Sequence, residues 1–571
     1  MKLSLRQSFN DINAILSCLS AIIAVVQLCL RVPWYYYLIT LGSLFFIWVL
    51  IGLYRITRRP WNKHMRNPLI KFKHSIYPFR TFFSSVFCKP YYETGYVSPH
   101  CSSTYEMGKR NSLDLKCYTV VIEDDPVGYS DNIGMIPCFP VEDGITSDSL
   151  YEIFKSKEEI IEKFHMFFIA TPSRRLTSEK SLVLNREIGL ALRRFFKERP
   201  NINVRTISKI DSCLRSNYEA EFEGFSDGFG IRDCIEILVP SYIEQGRVTL
   251  HGCQYVKSAG EFILLEDSEY SSFKGLEFNS SDLALWIEER APHIRGRKNV
   301  GLVDIDVLRT QPAESIAQTI LSVSAKSFVF DSIENEDLPL IIQVIQVLES
   351  KGLILFLKFG PSMINYYAKY YAIPRKANLL SGINRNVKGV FIVGSLTSIS
   401  KRQIEQYDDF RNTSIVMVRE SDIVDIQNID RTIKNRCEKI VKHIYNGDDV
   451  ILTTEYWKTD KTEYPDLHKR DIVLSVLAKI CYETQSTDNI WFLFKGSDTA
   501  LYSIIYGLGI QLFYYCGQVI PGVIHCKYES KEGFKSFFIV GGNVGSAELL
   551  TNLRKAIYTD YNINTNNQDN L

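Results

Sequence analysis

The sequence predicts an α/β protein: two α/β domains with mainly parallel sheets, preceded by a two-helix transmembrane hairpin. Three observations carry this. From Cys117 onward, short apolar runs alternate with amphipathic stretches at helical spacing, which is how a parallel sheet reads. Several of these runs end in loops rich in charged and amide side chains, and ligands of open α/β sheets bind outside the carboxyl ends of strands. Ahead of all this stand two runs without charge, Ile12 to Leu30 and Val32 to Tyr54.

With 571 residues the chain has room for several domains. Its 66 Lys and Arg balance 65 Asp and Glu, so no concentrated basic surface points to a nucleic-acid partner. The 13 cysteines show no C-x-x-C pair or Cys/His ligand spacing, which argues for reduced thiols and against a zinc site or disulfide framework. No metal-ligating residues are therefore assigned.

Each amino-terminal run is long enough for a ~30 Å hydrocarbon core at ~1.5 Å rise per residue. Arg31 and Pro33 separate them, and Trp34-Tyr-Tyr-Tyr37 at the turn fits an interfacial aromatic belt. Lys2 and Arg6 precede the pair, while Arg55, Arg58, Arg59, Lys63 and Arg66 follow it. This predicts a hairpin over 1–54 with both ends, and the domains beyond, on the cytoplasmic side of a membrane. A cleaved signal peptide is disfavoured because no small-x-small site follows the first run. Residues 55–112, basic and aromatic and then polar, read as a linker.

The first α/β domain is expected over 113–380. Its strands are Tyr118–Ile122, Met166–Ala170, Asn203–Ser208, Ile235–Val239, Val300–Ile305, Ser327–Asp331 and Leu353–Leu357. Ser178 is the expected N-cap of a helix through Phe196, a further helix opens at Tyr218, and Glu336–Glu349 has helical spacing. The second domain is expected over 381–558, with strands Val390–Val393, Asp449–Thr453 and Ile490–Phe494. Its helices are Ser400–Tyr407, Arg470–Tyr482 and Thr499–Tyr506. The Asn-rich tail over 559–571 has no periodicity.

Lys209-Ile-Asp-Ser-Cys-Leu-Arg-Ser-Asn217 leaves the end of the third strand. Lys209, Arg215 and Asn217 can clamp a small polyanion there, and Asp211 can take or orient a proton. Ile235–Val239 runs into Pro240-Ser-Tyr-Ile-Glu-Gln-Gly-Arg247, then Thr249-Leu-His-Gly252 and Tyr255-Val256. These two blocks resemble the K-I-D-S-T-L-R-G-N and P-A-F-P-x-Q-G-R-T-T-x-x-G-x-x-Y-V signatures of the four-carbon acid sugar kinase family. The resemblance extends over roughly Cys117 to Leu553. Glu123-Asp-Asp-Pro-Val-Gly128 stands where the family has A-D-D-L-T-G, and Ala170-Thr-Pro-Ser-Arg174 where it has N-T-D-S-R. Val127 and Pro172 depart from that pattern, and each removes a polar side chain.

In the second domain there is no G-x-x-x-x-G-K-[ST]. Gly394-Ser-Leu-Thr-Ser-Ile-Ser-Lys-Arg-Gln403 resembles the family's G-S-x-S-x-x-T-x-x-Q. Gly496-Ser-Asp-Thr499 resembles its G-G-[DE]-T, and Gly542-Asn-Val-Gly545 its G-N-F-G. Glycine turns of this kind let backbone N–H groups approach phosphates closely.

The resemblance implies transfer of the ATP γ-phosphoryl group to a hydroxyl of a four-carbon acid sugar. Asp124, Asp125 and Asp211 are then the candidate catalytic acids. Arg174, Lys209, Arg215, Asn217, Gln245 and Arg247 are the candidate substrate ligands, and Ser395, Gly496, Ser497, Asp498, Thr499 and Gly542 the ATP ligands. Mg²⁺ is the expected companion of ATP, held by a carboxylate. The expected partners are the acid sugar, ATP and a membrane, and assembly with further copies of the chain is left open. A ligand-binding module without turnover, reporting sugar acid or nucleotide at the membrane, is the alternative. A nicotinamide enzyme is disfavoured because no G-x-G-x-x-G follows a strand.

Overall fold

The computed structural model describes residues 117–126, 134–199, 203–258, 260–272, 276–291, 300–371, 387–408, 413–423, 426–459, 467–487, 490–531 and 533–558. The expected hairpin, the linker, Val127 and the carboxyl-terminal tail lie outside them. Among the described residues no helix is long and apolar enough to cross a membrane.

Among the described residues, eleven strands precede residue 380: β1 (Cys117–Glu123), β2 (Ile136–Pro140), β3 (Met166–Ala170), β4 (Asn203–Lys209), β5 (Ile235–Val239), β6 (Arg247–Leu250), β7 (Cys253–Ser258), β8 (Glu261–Leu264), β9 (Val300–Val303), β10 (Ser327–Phe330) and β11 (Leu355–Phe359). Seven follow: β12 (Lys388–Val393), β13 (Thr413–Val418), β14 (Asp449–Thr454), β15 (Ile490–Lys495), β16 (Phe513–Ile520), β17 (Val523–Ser530) and β18 (Gly533–Val540).

The expected α/β class holds, but the two domains do not keep separate sheets. Fifteen strands form one sheet in the order β13-β14-β12-β15-β18-β17-β16-β2-β3-β1-β4-β11-β5-β10-β9. From β2 to β9 every pairing is parallel. The second domain is parallel from β13 to β18, then turns antiparallel through β17 and β16. The weld is the antiparallel pairing of β16 with β2, Phe513 opposite Cys138 and Tyr515 opposite Ile136. The strands β6, β7 and β8 make a separate antiparallel sheet.

Strands such as β3, β5 and β11 are buried at every position, which is why they read as unbroken apolar runs rather than alternating ones. On one face Val121, Phe168, Ile207, Ile237 and Leu357 share a single core with Ile392, Leu452, Phe494 and Ile539 of the second domain. On the other face the core is split into separate clusters.

Several expected boundaries shift for local reasons. Thr177, not Ser178, caps the helix Ser178–Lys197, its hydroxyl accepting the Lys180 N–H. The strand expected to run to Ile305 stops at Val303, because the Asp304 carboxylate accepts the Asp306 N–H and opens the helix Ile305–Thr310. The helix Ser178–Lys197 packs on the helix Tyr218–Phe229 at backbone contact: a Cβ on Gly224 would lie 2.2 Å from the Leu182 carbonyl oxygen. This pair fixes the loops that precede both helices, and those loops carry the site.

Candidate functional site

Glu123 at the end of β1 is the register partner of Lys209 at the end of β4. Asp124, Asp125 and Lys209 therefore leave the sheet side by side. Lys209 Nζ donates to Asp124 Oδ1 at 3.0 Å and to Asp125 Oδ1. Arg174 reaches the same pair from the turn after β3: Nε and Nη2 donate to Asp124 Oδ2 at 2.9 and 2.8 Å, and Nη1 lies 2.8 Å from Asp125 Oδ2.

Asp211 and Arg215 are brought together by a tight turn in which Leu214, wholly buried, adopts φ +62° and donates its N–H to the Asp211 carbonyl. A branched apolar residue is strained in that region, by about 1–2 kcal/mol. The turn aims the Arg215 Nε at Asp211 Oδ2, 2.6 Å away. Asp211 Oδ1 is 3.9 Å from Arg174 Nη2, which joins the two halves of the network.

The result is a buried set of three cations and three carboxylates. The carboxylates differ. Burial raises Asp124, and the neighbouring Asp125 and Asp211 charges add to it against the pull of Arg174 and Lys209. Burial also acts on Asp125, but Arg174, Lys209 and the Ser497 hydroxyl outweigh it and hold that carboxyl well below the usual range. Asp211 is likewise held low against burial by Arg215 and Arg174. Of the three, Asp124 is the best proton acceptor.

One candidate ligand has another duty. Asn217 spends its amide on the chain: Nδ2 donates to the carbonyls of Ser173 and Leu176 at 2.8 and 2.9 Å, and Oδ1 accepts from Ser178 Oγ at 3.2 Å. It holds the Arg174 turn rather than reaching a ligand. The Gln245 side chain makes no hydrogen bond to the ion network among the described residues. Arg247 is buried, and the rings it shares space with tie it to the network: Tyr270 lies 5.6 Å from Arg247 and 5.5 Å from Arg215. Its Nε has no hydrogen-bond partner among the described residues. Pro172 is buried at the start of the Arg174 turn, where its carbonyl accepts the Arg175 N–H.

In the second domain the three glycine turns converge. Ser400 Oγ lies 2.9 Å from Ser395 Oγ and 2.8 Å from the Gly542 carbonyl oxygen, to which Thr397 Oγ1 also donates at 2.5 Å. A Cβ on Gly542 would sit 2.6 Å from Ser395 Oγ, and one on Gly394 would sit 2.4 Å from Thr499 Oγ1. Gly496 bridges them with φ +104°. Lys495 is buried beneath, donating to the carbonyls of Gly541 and Val544 at 2.9 and 3.4 Å. Burial brings its ammonium down to about 7. The helix expected over Thr499–Tyr506 is a six-residue helix, Ser497–Tyr502, followed by a π turn over Ser503–Gly507.

The two half-sites meet. Ser497 Oγ donates to Asp125 Oδ2 at 2.7 Å. Next to this contact Tyr515 of β16 donates to Glu123 Oε1, and Tyr506 donates to Glu142 at 2.8 Å. Sequence reading named Ser497 without seeing its partner, and it missed Arg175, Arg470 and Tyr515, which belong to no motif.

Lys209 stands between Asp124 and Asp125 where a bridging cation would stand, so this pair as arranged does not fit Mg²⁺. Elsewhere, ligand atoms of His251, Asp304 and Asp331 lie within 4.8 Å of one another. Asp331 already accepts three backbone N–H groups, from His251, Gly252 and Ile305, and Asp304 caps a helix. These acids hold a turn.

A buried charge cluster at the strand ends of one domain, docked against glycine turns of a second, defines a two-domain α/β protein that presents a polar-ligand site to a nucleotide site. The comparisons agree. Residues 119–364 match the Sugar-binding N-terminal domain and residues 390–550 the Nucleotide-binding C-terminal domain, so the chain belongs to the family that joins these two domains. Both matches support the four-carbon acid sugar kinase family.

The fold is similar to that of a Salmonella typhimurium LT2 protein described as a candidate tRNA synthase, with TM-score 0.57 and 14% identity over 77% of this chain and 99% of that one. It is also similar to a Haemophilus influenzae protein of the DUF1537 family, with TM-score 0.51 and 16% identity over 77% and 100%. No curated protein matches the chain.

Proposed function

We propose that the protein is an ATP-dependent kinase of a four-carbon acid sugar, of threonate, erythronate or oxo-tetronate type, anchored at a membrane by residues 1–54. The observation that carries the reading is the Ser497–Asp125 hydrogen bond, which puts the nucleotide-side turn on the acid cluster of the sugar side. The acid's hydroxyl oxygen attacks the γ-phosphorus, the bond to the ADP oxygen breaks, and the hydroxyl proton passes to Asp124. Arg174, Lys209 and Arg215 neutralise the substrate carboxylate and the charge on the transferring group, while the turns at Ser395, Gly496 and Gly542 hold the nucleotide. Phosphoryl transfer asks little covalent work of a protein, so positioning and charge neutralisation suffice. A divalent ion would neutralise phosphate charge, and Asp124 and Asp125, already bridged by Lys209, would not be the residues to hold it.

A second reading, a binding module without turnover, draws on Pro172 and on the pairing of Arg174, Lys209 and Arg215 with carboxylates of the protein itself. A screen of the full chain against four-carbon sugar acids with ATP and Mg²⁺, reading ADP release, separates the two. Release with one acid supports the kinase. Binding of an acid without release leaves the module.

A further inference from the structure

Beside the Ser497–Asp125 contact lies a second ion cluster that no motif covers, built from both domains. Arg175 follows Arg174 in the sugar domain. Its Nη1 donates to Tyr502 OH at 2.9 Å and to Asp471 Oδ1 at 3.3 Å, and its guanidinium lies 4.5 Å from the Tyr502 ring centroid. Arg470, from the helix Leu467–Thr484 of the nucleotide domain, brings its Nε to 3.5 Å from the same Asp471 oxygen and its Nη1 to 3.8 Å from Asp498 Oδ2. Two guanidinium groups, one from each domain, thus converge on a single carboxylate oxygen.

The burial is lopsided. The Arg175 and Arg470 side chains are 9% and 15% exposed, while Asp471 and Asp498 are 44% and 35% exposed. The Arg175 Nε is buried and has no hydrogen-bond partner among the described residues, and the Arg470 Nε makes only its 3.5 Å ion contact to Asp471, without a hydrogen bond. A buried guanidinium nitrogen left unpartnered is costly unless an anion meets it. The carboxylate it shares is held by weak, long contacts and can swing to water. An anion with several oxygens can offer both arginines what one Asp471 oxygen cannot.

The geometry points to a composite anion clamp, Arg175 with Arg470, that takes the terminal phosphate of the nucleotide in place of Asp471. This rests on the nucleotide reading and deepens it. The chain has no P-loop lysine, and the clamp lies beside Asp125's partners on both sides: Arg175 follows Arg174, and Arg470 faces Asp498, which follows Ser497. Because each domain contributes one arginine, the clamp exists only where the two domains dock. It discriminates ATP from ADP.

The test is calorimetric binding of ATP and of ADP, each with Mg²⁺ and without sugar acid, to the full chain and to three variants. Wild type binds ATP more tightly than ADP. Arg175→Gln and Arg470→Gln each shrink that ratio by about tenfold or more with ADP affinity retained, and Asp471→Asn widens it by freeing the arginines. A purely structural role at the domain junction would move both nucleotides together. If wild type binds both nucleotides and neither arginine variant changes the ratio, the clamp is refuted while nucleotide binding stands. If wild type binds neither, the nucleotide reading falls and the clamp with it. Should the arginine variants fail to fold, Asp471→Asn decides alone, since it alters an exposed carboxylate: unchanged ATP affinity overturns the clamp.

Discussion

Ser497 Oγ lies 2.7 Å from Asp125 Oδ2, a hydrogen bond between residues 372 positions apart that belong to different domains. The family signature has glycine at the Ser497 position, so this hydroxyl is a feature of the present chain. It places a nucleotide-side donor on a carboxylate that Arg174 and Lys209 also hold.

Ser497→Ala removes a hydrogen bond to a charged group, worth about 1.5–3 kcal/mol. The expected outcome is a loss of communication between the sites rather than of either site. Sugar acid alone and ATP alone bind nearly as before, but the gain in affinity for one when the other is present falls by roughly tenfold or more. Calorimetry with and without the second ligand measures this. Unchanged coupling would mean the bond is ornamental.

Asp124→Asn is expected to lower turnover strongly while leaving both ligands bound, because Asp124 is the carboxylate raised by burial. Asp125→Asn has a different signature. Its carboxyl is held well below the usual range by Arg174 and Lys209, making it a weak base. Its loss unbalances the cluster and so weakens acid and nucleotide binding as well as rate. Equal kcat losses with equal binding in both variants would contradict the assignment and bring Asp211 forward.

Glu123 gives a pH prediction. Buried at the seam between the domains, it accepts from Tyr515 OH, and burial raises its carboxyl from 4.5 to about 8. Between those values the folded chain keeps a proton that the unfolded chain releases. The stability contributed by Glu123 is therefore fully present below about 4.5 and is lost as pH rises through about 8. The drop is on the order of 5 kcal/mol at about 1.4 kcal/mol per pH unit. Glu123→Gln has no such proton to lose, so denaturant unfolding of wild type minus variant should fall across this window. A flat difference would contradict the buried, protonated acid.

The membrane proposal is tested apart from the chemistry. Reporters fused at residue 8 and at residue 70 should both report the cytosolic side, as expected for a hairpin with basic flanks. An opposite report from either fusion sinks the hairpin.

The strands were legible where burial on both faces leaves an unbroken apolar run, as in Met166–Ala170 and Ile235–Val239, whose expected bounds match. β2 and β16 were not: Ile136-Pro-Cys-Phe-Pro140 is as long as those strands but carries two prolines, which break the strand pattern, yet its pairing welds the domains. The site blocks were legible because acids, cations and glycines at strand ends have few structural reasons to cluster. What the sequence hid is pairing. Nothing local says that Asn217 spends its amide on the Arg174 turn, or that Arg175 and Arg470, 295 positions apart, share Asp471.

The central claim is that the two half-sites form one phosphoryl-transfer site, and ³¹P NMR of the full chain with ATP, Mg²⁺ and a four-carbon sugar acid tests it most directly. The account predicts a phosphomonoester resonance on the acid that grows one-for-one with ADP and is lost in Asp124→Asn. ADP accompanied by inorganic phosphate alone, or bound acid and nucleotide with no new phosphomonoester, would contradict it.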